Sequence, residues 1–223
     1  MDRIDASVDS VAVQGAISNW PCVVHNTFCS VMQSLDSVRA GALALEGAGR
    51  DLVAVLSLDD LVLGGRLYRA TAPGCRAADY YGDPVTSIAA RQWVPWTDAE
   101  MPPALPGAAE LLRAIIEHDM AVIFLTGRRA SRRAETVASL VRVGLAGDGA
   151  DALFSVAELQ DPQGALQIRP DDDARPSEHE FKLERCRMIE RNYRIALNIG
   201  TQLSAMVAGD WMTIAPHQIY IVP

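Results

Sequence analysis

The stretch Val53 to Leu63, V-A-V-L-S-L-D-D-L-V-L, constrains this chain more than any other. A short apolar run that ends abruptly in acids reads as a strand buried on both faces, and such strands belong to parallel sheets covered by helices. Ligands bind such sheets at the carboxyl ends of the strands. Ser57, Asp59 and Asp60 therefore stand where chemistry is expected.

Two further runs repeat the pattern. Ala121 to Leu125 ends in Thr126-Gly127-Arg128, and Tyr193 to Leu197 leads into Asn198-Ile199-Gly200-Thr201-Gln202. A short strand is expected at Ala152 to Val156 after the turn L-A-G-D-G, and a terminal strand at Gln218 to Val222. Val31, Leu35, Val38, Ala42 and Leu45 recur at helical spacing, with His25-Asn26-Thr27 as a start and Gly47-Ala48-Gly49 as a stop. P-P-A-L-P-G introduces a helix through Leu111, Leu112, Ile115 and Ile116. Another spans Ser131 to Val143 with Val137, Leu140 and Val141 inward, and Phe181-Lys182 opens one that carries Leu183, Cys186 and Ile189. This alternation predicts an α/β protein with a doubly wound parallel sheet and helices on both faces.

A chain of 223 residues, 49% of them hydrophobic, suits one core. Residues 1–50 are read as an arm and helix packed on it, and 51–223 as the core domain. The long connection at about 64–106 is read as a small cap, with Tyr80, Tyr81, Trp93 and Trp96 as pocket lining. A formal charge of -8 offers no basic footprint for nucleic acid. An acidic, broken first twenty residues and the lack of a long apolar run predict no export signal and no membrane partner, hence a cytoplasmic protein. Cys22, Cys29, Cys75 and Cys186 show no metal-ligand spacing and are read as small apolar residues. Asp171-Asp172-Asp173 is read as a solvated loop, since adjacent carboxylates do not easily converge on one ion.

In this succession the motifs resemble the haloacid dehalogenase superfamily, in its acid-phosphatase branch that includes plant vegetative storage proteins. The likeness covers about residues 20 to 223. S-L-D-D-L-V-L stands where that family has D-x-D-E-T-L-L, followed by W-V-P-W, P-A-L-P and F-L-T-G-R. F-K-L-E-R stands for Y-K-S-E-R, N-I-G-T-Q-L-S-A for N-x-G-D-Q-W-S-D, and the tail A-P-H-Q-I-Y-I-V-P is similar to the family's terminal strand. The resemblance implies a Rossmannoid core with a small cap. It also implies roles: a nucleophilic Asp, an acid/base Asp two residues on, a Thr and a Lys on the transferring phosphoryl group, and acidic residues of the last motif on Mg²⁺.

Carried over by position, Asp59 matches the acid/base, and Thr126 and Lys182 match the phosphate-binding pair. Ser57 stands at the nucleophile, Leu61 at the motif Thr, and Thr201 and Ala205 at the metal carboxylates. A carboxylate nucleophile is ionised at neutral pH unaided, whereas a Ser hydroxyl must lose a proton to a neighbour. Loss of the phosphoaspartate and Mg²⁺ chemistry is therefore expected, with no metal and no other cofactor. The leading expectation is a metal-independent enzyme that uses Asp59, with Asp60 and Ser57 beside it, for acid/base work on a small, anionic substrate by elimination, isomerisation or cyclisation. Thr126, Gly127, Arg128, Lys182, Asn198 and the cap aromatics would bind that substrate. The alternative is a non-catalytic binding, regulatory or storage pseudophosphatase, and an active phosphatase with an atypical nucleophile ranks behind both. A small-molecule ligand is the expected partner, and a homodimer is a further expectation.

Overall fold

In the computed structural model of the chain, the residues described are 28–44, 51–63, 104–175, 178–200 and 219–221. Five strands form one sheet: β1 (Leu52–Ser57), β2 (Ala121–Arg129), β3 (Leu166–Arg169), β4 (Arg194–Gly200) and β5 (Ile219–Ile221). Their order is β3-β2-β1-β4-β5, and every neighbouring pair is parallel. The chain winds outward from β1 through β2 to β3, then returns to the other side of β1, so β1 and β4 flank the switch point where α/β sheets bind ligands.

Every residue of β1 is buried because each of its faces meets a layer of helices. Val53 and Val55, with Ile123 and Leu125 of β2, pack on Cys186 and Ile189 of the long helix α5 (Glu178–Asn192). Ala54 and Leu56, with Val122 and Phe124, face the larger cluster. That cluster takes Val31, Leu35, Val38 and Ala42 from α1 (28–44), Leu111, Leu112 and Ile115 from α2 (Ala108–Glu117), and Val137 and Leu140 from α3 (Arg133–Arg142). Gly107 enters α2 at φ +86°, a backbone conformation that disfavours any residue with a Cβ. Burial in the α5 layer pushes the Cys186 thiol up to about 12, with Glu190 adding to the effect and Lys182 opposing it, so this cysteine is inert filling.

Several expectations need correction. Ala152 to Val156 is no strand of the sheet: Phe154 makes a single bridge to Ala146, and the chain then turns into the short helix α4 (Val156–Gln160). Ser155 caps that helix by accepting the Glu158 N–H at 3.1 Å, and the S-x-x-E spacing is the signature of such a start. The third strand is instead L-Q-I-R, where Gln167 donates to the Gly164 carbonyl at 2.6 Å and Arg169 to Asp173 at 2.7 Å, so two polar side chains are buried with partners. Val141 is 43% exposed and does not point inward. β2 and β4 both run on through their polar exits, to Arg129 and Gly200. The cap aromatics Tyr80, Tyr81, Trp93 and Trp96 lie outside the described residues, as do Cys22, Cys75, Thr201 and Ala205. No described helix is long and apolar enough to cross a membrane.

The acidic loop divides its three carboxylates. Asp171 and Asp172 are exposed, and Asp171 accepts from the Ser131 N–H and hydroxyl. Asp173 has a side chain only 4% exposed, held by Arg169 Nε at 2.7 Å, the Arg175 N–H at 3.2 Å and Arg175 Nε at 3.3 Å. Burial pushes its carboxyl up, but the bonds from Arg175 and Arg169 and their two charges outweigh burial and hold it below its ordinary value. A carboxyl with a lowered folded value stabilises the fold above its unfolded value and loses that effect as the pH falls through the folded one.

Two outcomes follow for urea unfolding. Leu35→Ala, at a fully buried site, should cost about 2–5 kcal/mol, whereas Val141→Ala should stay within about 0.5 kcal/mol. Asp173→Asn should lower the midpoint at neutral pH, and its deficit against wild type should shrink as the pH falls below the carboxyl's ordinary 3.8.

Candidate functional site

β1 does not carry its acids as a strand. After Ser57 the chain enters a single π-helical turn, Leu58–Val62, closed by the Leu63 N–H on the Leu58 carbonyl at 2.9 Å. Such turns recur at functional sites because they swing one residue out of the regular pattern. Strand alternation would put Asp59 on the same face as Ser57, and the turn cancels that expectation. Asp59 is 6% exposed, and its two carboxylate oxygens go to β2: Oδ1 receives Arg128 Nε at 2.7 Å, and Oδ2 receives the Thr126 hydroxyl at 2.5 Å.

β2 provides these groups because it continues past Leu125, the partner of Ser57 and the last residue paired with β1. Thr126 is fully buried, and its Oγ1 also accepts the Arg128 N–H at 3.1 Å, where the pairing of β2 with β3 shifts register between Thr126 and Arg129. Arg128 is 3% exposed and reaches Thr136 of α3 at 3.4 Å. The Arg128 guanidinium and the Asp59 carboxylate form a buried ion pair, with the Thr126 hydroxyl on the second carboxylate oxygen. Removing one partner of such a pair costs far more than removing both, because the survivor is left charged in a poor solvent.

Ser57 meets a different partner. Lys182, on the first turns of α5 and 6% exposed, places Nζ 3.2 Å from Ser57 Oγ. The same Nζ lies 2.5 Å from Oε1 of Glu178, one turn earlier on the helix. Glu178 also lies across Gly127: a Cβ built there would be 2.2 Å from Glu178 Cδ and 2.4 Å from its Oε2. Only a glycine lets the carboxylate lie this close to β2 without moving. The four charges, Asp59, Arg128, Lys182 and Glu178, thus form two pairs side by side.

Asn198 lies within β4 rather than beyond it, in register with Val55 and so on the α5 face of the sheet with Ser57. It is 6% exposed, and its Nδ2 is buried with no hydrogen-bond partner among the described residues, an unused donor that costs about 1–3 kcal/mol if left so. Of the residues read from sequence, Ser57, Asp59, Thr126, Gly127, Arg128 and Lys182 come together, with Asn198 on the same face; Asp60 shares the π turn, its side chain not described. Glu178 and Thr136 were missed. Glu178 had a signal, since Glu four residues before Lys is a favourable helical pair. Thr136 had none, being one polar residue on an amphipathic helix. Among the described residues no three His, Cys, Asp or Glu side chains are grouped as a metal would need.

The buried pair makes a double-mutant cycle informative. Arg128→Met alone should destabilise the protein by about 3–5 kcal/mol in urea unfolding, and adding Asp59→Leu should return most of that loss.

A family model described as HAD superfamily, subfamily IIIB (Acid phosphatase), matches residues 31–223. Solved structures that share the fold include two acid phosphatases. The class C acid phosphatase from Bacillus anthracis has a TM-score of 0.58 at 15% identity, over 96% of this chain and 83% of that one. The class C acid phosphatase from Bacillus anthracis with tungstate bound has a TM-score of 0.56 at 16% identity, over 92% and 78%. No curated protein matches the sequence. The matched span takes in the whole sheet, the π turn and both ion pairs, and the chain belongs to the HAD superfamily, subfamily IIIB, the acid phosphatases.

Proposed function

We propose that this chain is a pseudophosphatase: it keeps the anion-binding half of the acid-phosphatase site, lacks the phosphoaspartate step, and holds a small phosphate-like anion without turning it over. The contact of Lys182 Nζ with Ser57 Oγ carries this reading. A hydroxyl stands at the strand end where the family's nucleophile is a carboxylate, and its neighbour is an ammonium. An ammonium has donors and no lone pair, so it cannot take the Ser57 proton. What it does well is attract an anion, and the Asn198 amide on the same face, whose Nδ2 has no partner among the described residues, fits the same purpose.

The fold family implies Mg²⁺, and the side chains here do not fit it. Asp59 has both oxygens committed to Arg128 and Thr126, Ser57 faces an ammonium, and Thr201 and Ala205 bring no carboxylate to the last motif. Magnesium keeps its waters unless carboxylates or phosphates draw it in, so no step is routed through it.

A second reading makes Asp59 the acid/base of a metal-independent elimination, isomerisation or cyclisation. Its burial at a strand exit favours that role. Both oxygens would first have to leave Arg128 and Thr126, so the binding reading has the better support.

The test is a phosphate titration followed by calorimetry, beside an aryl phosphate assay with Mg²⁺. Wild type should bind inorganic phosphate and release none from the ester. Lys182→Ala should weaken binding by about tenfold or more, the scale of one lost charged hydrogen bond. Mg²⁺-dependent hydrolysis by wild type that Ser57→Ala abolishes would overturn the proposal.

A further inference from the structure

We infer that Glu178 is a built-in occupant of the anion position, and that a ligand anion binds by displacing its carboxylate from Lys182. The inference rests on the anion-binding reading above and adds how access to that site is set. Three contacts define the position. Glu178 Oε1 is 2.5 Å from Lys182 Nζ, its Oε2 and Cδ occupy the place a Gly127 Cβ would take, and Lys182 Nζ is 3.2 Å from Ser57 Oγ. A carboxylate therefore already sits between the β2 exit and the lysine at the nucleophile position. An oxyanion ligand recruited by Lys182 would need that same space.

The two partners are unequally held. The Lys182 side chain is 8% exposed and that of Glu178 is 41%. Drawing negative charge away from the buried ammonium is expensive, whereas returning a half-exposed carboxylate to water is cheap. An anion beside Lys182 is thus favoured, but Glu178 need not be that anion. Glu178 belongs to the first turn of α5, where the helix dipole favours negative charge, so an incoming anion is welcomed by the same end of the helix. The arrangement also selects. A monoanionic carboxylate only replaces like with like, whereas a phosphate-type dianion brings more charge to Lys182 and more acceptors for Asn198 than Glu178 does.

If the site is open only when Glu178 has swung away, the apparent affinity falls by the open fraction. Removing the carboxylate removes that penalty. A merely structural Glu178, one that caps the helix start and pairs with Lys182, would change stability slightly and leave ligand affinity alone.

The experiment titrates inorganic phosphate, with acetate as the carboxylate control, into the full chain as wild type and as Glu178→Gln. For an open fraction of about one tenth, Glu178→Gln should bind phosphate about tenfold tighter than wild type, and acetate tighter by the same factor, so that phosphate keeps its advantage over acetate. Phosphate binding in the variant with none detectable in wild type also supports the inference. Equal or weaker phosphate binding by Glu178→Gln overturns the displacement and leaves the anion site standing. Phosphate binding by neither protein overturns the anion site, and the displacement with it.

Discussion

The buried pair of Asp59 and Arg128 is the constraint around which the carboxyl end of the sheet is built. Asp59 cannot stay in a dry strand end as a lone charge, and the π turn after Ser57 carries it to β2, which overshoots its pairing with β1. β2 extends beyond its last pairing with β1, and that overhang delivers both the Thr126 hydroxyl and the Arg128 guanidinium. Strand length, turn type and charge pairing are therefore one arrangement. Shortening β2 or straightening the turn would leave a buried carboxylate without its partners, at a cost of several kcal/mol.

Beside this rigid pair stands one of opposite character. Lys182 is anchored in the α5 layer, and its partner Glu178 comes from the solvent edge of the same helix. In one pair both partners are buried, whereas in the other Glu178 is half-exposed, which is what the proposed exchange requires. A family fold that elsewhere needs a carboxylate nucleophile is here left with a hydroxyl at Ser57, a fixed cation and an internal anion. On the proposed reading, that combination serves recognition of an anion rather than attack on one.

The strands and helices that were legible are those whose apolar residues follow a single period. β1, β2 and β4 are runs of aliphatics, and α1 shows Val31, Leu35, Val38 and Ala42 at helical intervals, all buried. The third strand was not legible, because L-Q-I-R mixes polar residues into a buried segment and satisfies them locally through Gly164 and Asp173. The apolar D-A-L-F-S-V run drew the strand assignment instead, although Ser155 and Glu158 three residues apart already announced a helix start. Asp173 looked like one more solvated acid, yet Arg169 and Arg175 close over it. In each case local pattern was outvoted by a partner that the pattern does not name.

By itself the sequence determined which chemical groups are present: a hydroxyl at Ser57, no carboxylate at Thr201 or Ala205, and a retained Thr126 and Lys182. It also determined a parallel, helix-covered sheet, since runs such as V-A-V-L and A-V-I-F-L are stable only when both faces are buried. Only the tertiary structure decided which charge meets which. Asp59 finds Arg128 across 69 residues, Lys182 finds Ser57 across 125, and Glu178 comes to rest on Gly127. The reason is that a one-turn π helix breaks the strand's alternation and sends neighbouring residues to different partners, and contacts made through crossover helices leave no trace in local periodicity.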